Sequence, residues 1–286
     1  MMEFDNLDGF LIGKGDKVFD SSNRVIKYGD GIFETIKLAN GDLMFWEDHF
    51  ERLNKGADYL GFETAGKNSA FWKKEVEKII VKNYYENARI RIIAFRDSPG
   101  LYTPMGNRLS FFIEGTRFDK PDYGFKSKGI TLGVFNGDHK AMSPMNNFKT
   151  TSAILFVLAG RFKKDKGLDD VIVLNASGRV CETVSSNVFM VKSDKITTPK
   201  LSEGCLDGVM RKQIIKAINK EGLKFEEGEI TLDDLKSADE IFLTNSMSGV
   251  QGVAEFDGKK LSNTYTSIFQ SNLELLLGLV NTKSAY

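Results

Sequence analysis

Lys149 stands in the run Asn146-Asn147-Phe148-Lys149-Thr150-Thr151-Ser152, just ahead of the apolar stretch Ala153 to Gly160. A lysine that opens a helix meets the positive end of the helix dipole, which disfavours an ammonium. As a neutral amine or an imine it suits a desolvated site, where it becomes a nucleophile. Taken alone, a solvated surface lysine is the commoner reading. Further on, Val180-Cys181-Glu182-Thr183-Val184-Ser185-Ser186-Asn187 sets one carboxylate ahead of small hydroxyl and amide residues. That composition suits a wall facing a polar ligand, and a polar loop between strands equally well.

Three more segments could bind an anion. Leu206-Asp207-Gly208-Val209-Met210-Arg211 opens a helix with a glycine, which lets backbone N–H groups approach a phosphate closely. Thr244-Asn245-Ser246-Met247-Ser248-Gly249 could add hydroxyl donors. Arg52 offers a planar fork suited to two parallel hydrogen bonds with phosphate. Each has a plainer reading: a helix cap, a turn, a surface ion pair.

Local patterning gives the elements that must position these side chains. Phe33 to Leu38 reads as a strand before the turn Asn40-Gly41-Asp42. Trp46 to Leu60 carries Phe50, Leu53, Ala57 and Leu60 at helical spacing, and Ser69 to Asn83 repeats the pattern with Phe71, Trp72, Val76, Ile79 and Ile80. Ala88 to Phe95 and Leu109 to Glu114 read as strands. Residues 118–127 have the composition of a linker. Beyond it, strands are expected at Ile130–Phe135, Val171–Leu174, Val188–Val191 and Ile241–Leu243. Helices are expected at Lys149–Phe162, Gly208–Asn219 and Thr264–Leu277. The reading is α/β (α+β), in two lobes.

Composition excludes several classes. Thirty-nine Lys plus Arg balance 39 Asp plus Glu, so no basic surface favours nucleic acid or an anionic membrane. The longest apolar stretch is too short to span a bilayer, and the amino terminus lacks a signal-peptide pattern. Two cysteines, Cys181 and Cys205, and two distant histidines, His49 and His139, give no basis for a metal site, a disulfide scaffold or a serine–histidine triad. A cytoplasmic setting is expected.

Taken in order, the motifs resemble the class IV aminotransferases, the fold-type IV pyridoxal-phosphate enzymes that include branched-chain and D-amino-acid aminotransferases and aminodeoxychorismate lyases. Tyr28-Gly29-Asp30-Gly31-Ile32-Phe33-Glu34-Thr35 resembles the family's YGDGxFET segment, and Glu47-Asp48-His49-Phe50-Glu51-Arg52-Leu53 follows at the usual distance. Lys149, Glu182, Ser185-Ser186-Asn187-Val188-Phe189 and Gly208-Val209-Met210-Arg211 are similar to its signature region.

The resemblance implies a small amino-terminal α/β domain (1–117), a linker (118–127) and a larger carboxy-terminal domain (128–286), with pyridoxal 5′-phosphate between them, in a homodimer. Lys149 would carry the cofactor as an imine and move protons at the substrate α-carbon. Glu182 would pair with the pyridine nitrogen. Arg52, the amides of Val209 and Met210 beside Gly208, and Ser246 would hold the phosphate, with Ser185, Ser186 and Asn187 completing the cofactor wall. Tyr28, Phe33 and Arg91 would meet the substrate, Arg91 through its carboxylate. The implied activity is transfer of an amino group between an amino acid and a 2-keto acid, branched-chain-like.

Alternatives stay open. The Gly-Val-Met-Arg wording at 208–211 and Asn245-Ser246-Met247 lean toward 4-amino-4-deoxychorismate lyase, which releases pyruvate and p-aminobenzoate. The loop Arg96 to Tyr102 lacks the arginine and histidine that D-amino-acid enzymes place after their proline. A relative that binds the cofactor without turnover is the third reading.

Overall fold

In the computed structural model the described residues are 3–119 and 121–276. They separate into two units, one formed by Met1–Pro121 with Phe148–Ser152, the other by Asp122–Asn147 with Ala153–Tyr286.

The first unit contains β1 (Phe4–Leu7), β2 (Phe10–Gly13), α1 (Arg24–Tyr28), β3 (Gly31–Ala39), β4 (Asp42–Leu43), α2 (Trp46–Tyr59), α3 (Ser69–Asn83), β5 (Ala88–Arg96) and β6 (Leu109–Arg117). Its six strands form one sheet in the order β2-β1-β6-β5-β3-β4. Alternation decides the faces, because successive strand side chains point to opposite sides. Ile32, Ile36 and Leu38 of β3, Ile90 and Ile92 of β5, and Phe111 and Ile113 of β6 share a core with Leu53 and Ala57 of α2 and Trp72, Val76 and Ile79 of α3. The intervening residues, Phe33, Thr35 and Arg91 among them, lie on the other face. The Asn68 side chain accepts a hydrogen bond from Phe71 N to cap α3, which ends at Tyr84 in the left-handed region (φ 53°).

The second unit contains β7 (Ile130–Val134), α4 (Ile154–Asp165), β8 (Asp170–Leu174), β9 (Val180–Thr183), β10 (Asn187–Lys192), β11 (Lys195–Pro199), α5 (Val209–Lys220), β12 (Lys224–Gly228), α6 (Leu232–Ser237), β13 (Glu240–Asn245), β14 (Gly249–Phe256), β15 (Lys259–Lys260) and α7 (Thr264–Leu276). Its nine-stranded sheet runs β12-β11-β10-β13-β14-β7-β8-β9, with β15 paired to β14. One core gathers Ile130, Ile172, Val188, Ile241, Leu243 and Val253. The stacked rings of Phe189 and Phe242, 4.9 Å between centroids, receive Phe269 of α7.

The α/β reading therefore holds, with one local correction that bears on the site. The expected helix from Lys149 to Phe162 begins only at Ile154. Residues 149–151 are extended instead and continue the edge of β3. Phe33 N–H donates to Lys149 O (2.7 Å), Thr151 N–H donates to Gly31 O (2.9 Å), and Thr150 bridges Ile32 in antiparallel fashion. Thr and Ser hydroxyls compete for backbone groups and weaken a helix. The Thr151 hydroxyl does so by donating to Gly29 O (2.7 Å). Lys149 thus stands on a strand edge, and the helix-dipole argument does not apply to it. Leu277, the expected end of the last helix, and the residues after it lie outside the described residues.

Candidate active site

In the first unit the reactive side chains occupy both faces of the sheet. On the face away from the helices, Lys149 Nζ lies 4.8 Å from the Phe33 ring centroid and Arg91 Cζ lies 4.3 Å from the same ring. Register explains the second contact. Thr35 pairs with Arg91 and Phe33 with Ile93, so Phe33 and Arg91 are diagonal neighbours on one face. Arg91 Nε is buried and has no hydrogen-bond partner among the described residues. Burial lowers the Arg91 pKa, with Glu114 opposing. Tyr28 closes α1, where Arg24 lies over its ring and the Tyr102 ring lies 5.3 Å away.

On the helix-covered face, Glu34 interrupts an otherwise apolar row. His49 and Arg52 are three apart on α2, so they share a side of the helix and converge on that carboxylate. His49 Nδ1 lies 2.7 Å from Glu34 Oε2, Arg52 Nε donates to Oε1 at 2.7 Å, and a second Arg52 N–H donates to Oε2 at 2.7 Å. All three residues are buried. Burial alone would raise the Glu34 carboxyl, but Arg52 and His49 outweigh it and hold it at about 2. Burial lowers the His49 pKa, Glu34 opposes, and Arg52 and Lys149 add to the lowering. A neutral His49 donating from Nδ1 leaves Nε2 as an acceptor, and that buried atom has no partner among the described residues.

The second unit carries the other candidates. Glu182, on β9, is buried. Its Oε1 pairs with the ammonium of Lys140, and its Oε2 accepts from Leu206 N–H at 3.0 Å. Burial would lower the Lys140 pKa, but Glu182 raises it further. Asn187 Nδ2 donates to Leu206 O at 2.8 Å, and the loop then enters α5 through Gly208. No side chain caps α5. Its first amides, Val209 and Met210 among them, have no carbonyl within the helix to serve. A Cβ added to Gly208 would fall 1.9 Å from Asn187 Oδ1.

Asn245 organises the remaining hydroxyls. Its Nδ2 donates to Ser186 Oγ (2.9 Å), and its Oδ1 accepts from Met247 N–H and Ser248 N–H (2.9 and 2.7 Å), in a turn that carries half-buried Ser246. Ser185 is exposed. Thr244 Oγ1 is buried without a partner among the described residues. Burial pushes the Cys181 thiol far up and the Cys205 thiol to about 12, so neither is a nucleophile. Among the described residues no group of three His, Cys, Asp or Glu could hold a metal ion, and no helix is long and apolar enough to cross a membrane.

The structure thus gathers Phe33, Arg91 and Lys149 on one face of the first unit's sheet, with Arg52 engaged by Glu34 on the opposite, helix-covered face. In the other unit it gathers Glu182, Asn187, Gly208, Ser186 and the turn bearing Ser246. Sequence reasoning gave no site role to Glu34, His49 or Lys140. Glu34 had a signal: an acid in phase with Ile32, Ile36 and Leu38, followed by a histidine and an arginine at helical spacing.

The family described as Amino-transferase class IV matches residues 31–256. An aminodeoxychorismate lyase of Vibrio harveyi is 30% identical over 241 residues, covering 81% of this chain and 85% of that protein. The branched-chain-amino-acid aminotransferase-like protein 2 of Arabidopsis thaliana is 28% identical over 85% of this chain, which spans only 43% of that protein's length. A branched-chain aminotransferase of Thermoproteus uzoniensis, solved with norvaline, superposes with a TM-score of 0.88 at 26% identity, covering 97% of this chain and 96% of that one.

Proposed function

The chain belongs to the class IV aminotransferases, enzymes that carry pyridoxal 5′-phosphate, and on that premise we propose that it moves an amino group between an amino acid and a 2-keto acid, branched-chain substrates included. The residues present suit the cofactor. Asn187 packs against Gly208 where a Cβ would clash, α5 starts without a side-chain cap, and Thr244 Oγ1 and His49 Nε2 are buried polar atoms with no partner among the described residues. When bound, the cofactor supplies an aldehyde carbon for covalent attachment and a ring that withdraws electrons from the substrate α-carbon.

The chain's own groups do the rest. Lys149 Nζ would hold the cofactor and, as a free amine, would move a proton at the substrate α-carbon. Glu182 would face the ring nitrogen and help hold a proton there. Arg52, oriented by its two hydrogen bonds to Glu34, the amides of Val209 and Met210, and Ser246 bind the phosphate. Ser185, Ser186 and Asn187 line the cofactor wall. Arg91 takes the substrate carboxylate, with Phe33 and Tyr28 shaping the space around it.

The observation that carries this reading is the attachment of residues 149–151 to β3, which sets Lys149 and Arg91 against one ring. Borohydride reduction of the purified protein, followed by peptide mapping, should place the cofactor label on Lys149. A label on Lys140 would sink the assignment.

The 30% identity to an aminodeoxychorismate lyase favours one second reading, release of pyruvate and p-aminobenzoate. Assaying both reactions side by side separates them: pyruvate release without keto-acid-dependent amino transfer overturns the primary reading. We also place the enzyme in the cytoplasm as a homodimer, which a monomer mass in analytical ultracentrifugation would refute.

A further inference from the structure

The pair Lys140–Glu182 goes beyond the cofactor assignment. Lys140 is a buried lysine, 42 positions before its partner in sequence, with a side chain only 7% exposed against 6% for Glu182. Nothing else nearby explains a buried ammonium there. It reaches Asn146 O at 3.3 Å and lies 5.4 Å from the Phe156 ring centroid, but its one anionic partner among the described residues is Glu182. Burying a lysine costs free energy that a single neutral carbonyl does not return, so the carboxylate holds it there.

Seen from Glu182, both carboxylate oxygens already have a donor, the ammonium on Oε1 and the Leu206 amide on Oε2. A ring nitrogen held by this carboxylate is therefore a third donor, and its proton adds a positive charge beside one already present. Like charges at that range disfavour protonation. A lone buried carboxylate would do the reverse and hold the ring proton tightly.

We propose that Lys140 is a positioning residue that loosens the hold of Glu182 on the ring-nitrogen proton and so sets the electron-withdrawing strength of the cofactor below its maximum. The inference rests on the reading that Glu182 faces the ring nitrogen. The other titratable groups around Lys140 are the thiols of Cys181 and Cys205, both pushed up by burial, with Glu203, Asp207 and Arg211 beyond them. Lys140 is therefore the cation in the set that contacts the carboxylate directly.

The test uses holoenzyme loaded with pyridoxal phosphate labelled with nitrogen-15 in the ring, whose chemical shift reports protonation directly as pH is varied. Lys140→Gln should raise the midpoint of that titration by about one pH unit, a tenfold gain in proton affinity, while Lys140→Arg stays near the parent. Lys140→Met substitutes if the glutamine variant does not fold. In a Glu182→Gln background the same change should have no effect, because the route through the carboxylate is gone. An unchanged midpoint in Lys140→Gln or Lys140→Met with cofactor still bound overturns the proposal. So does an equal shift in the Glu182→Gln background, which would mark a structural or through-space effect. A parent protein that takes up no cofactor fails at the earlier step, and the underlying assignment falls with it.

Discussion

A Cβ on Gly208 would lie 1.9 Å from Asn187 Oδ1, while Asn187 Nδ2 donates to Leu206 O in the loop that leads into α5. No rotamer of alanine relieves that clash, so Gly208→Ala must break the Asn187 bond or shift the start of α5. We expect the substitution to weaken pyridoxal-phosphate binding at least tenfold, roughly 1.4 kcal/mol, with an overpacking cost of about 1–3 kcal/mol in the apoprotein. Cofactor titration by fluorescence quenching and chemical denaturation measure the two. Unaltered cofactor affinity in a destabilised protein would make Gly208 purely structural.

Glu34 concentrates the charge of α2 on the sheet, since it accepts from His49 and twice from Arg52. Glu34→Gln leaves Arg52 buried without its counter-ion, and breaking such a pair costs about 3–5 kcal/mol. The pH dependence has a definite sign. The folded carboxyl, at about 2, lies below its ordinary value of 4.5, so its stabilisation is complete above 4.5 and is lost as pH falls toward 2. The gap between parent and Glu34→Gln in urea denaturation should therefore be constant near neutrality and close across that acid window. A gap that stays open at pH 2.5 would mean the carboxylate charge is not what the site uses.

Asp5 behaves oppositely. Burial raises its carboxyl to about 6, with Glu114 and Glu3 adding to the rise and Lys14 working against it, and Oδ1 has no partner among the described residues. Ionised Asp5 is a liability: the penalty is absent below the ordinary value of 3.8, grows as pH rises, and is complete above about 6. Asp5→Asn should raise the melting temperature at pH 8 and leave it unchanged near pH 3.5. Equal stabilisation at both pH values would assign the gain to packing instead.

How much of this was legible beforehand depends on range. The helices over 46–59 and 69–83 were readable because Leu53, Ala57, Trp72, Val76 and Ile79 repeat at helical spacing and meet one core. The start of α4 was not, because residues 149–151 are claimed by β3, more than a hundred positions away. Apolar periodicity reports which face a residue would bury, and it cannot report which strand edge competes for its backbone. Short strands such as β9 and β12 escaped for the same reason, since pairing defines them more than pattern does. Among polar residues, Glu34 was readable as an acid in an apolar phase. Lys140 was not, lying beyond Gly137-Asp138-His139 with its partner 42 positions on.

Arg91 allows the sharpest test of the substrate side. Its guanidinium shares the Phe33 ring with Lys149, and its Nε is buried with no partner among the described residues. A buried donor left unsatisfied costs roughly 1–3 kcal/mol, a cost that a bound carboxylate would remove. Hydrogen bonds to a charged group contribute about 1.5–3 kcal/mol, so Arg91→Gln should raise KM for the keto acid by about 10- to 100-fold with a smaller loss in kcat. Arg91→Lys should not restore binding, because an ammonium lacks the planar fork that meets both carboxylate oxygens. Folding should survive both changes, since no protein acceptor loses its donor at Nε. Steady-state kinetics on both variants, read beside their melting temperatures, decide the matter: equal KM in parent and Arg91→Gln would return Arg91 to the role of an ordinary strand residue on the face opposite the helices.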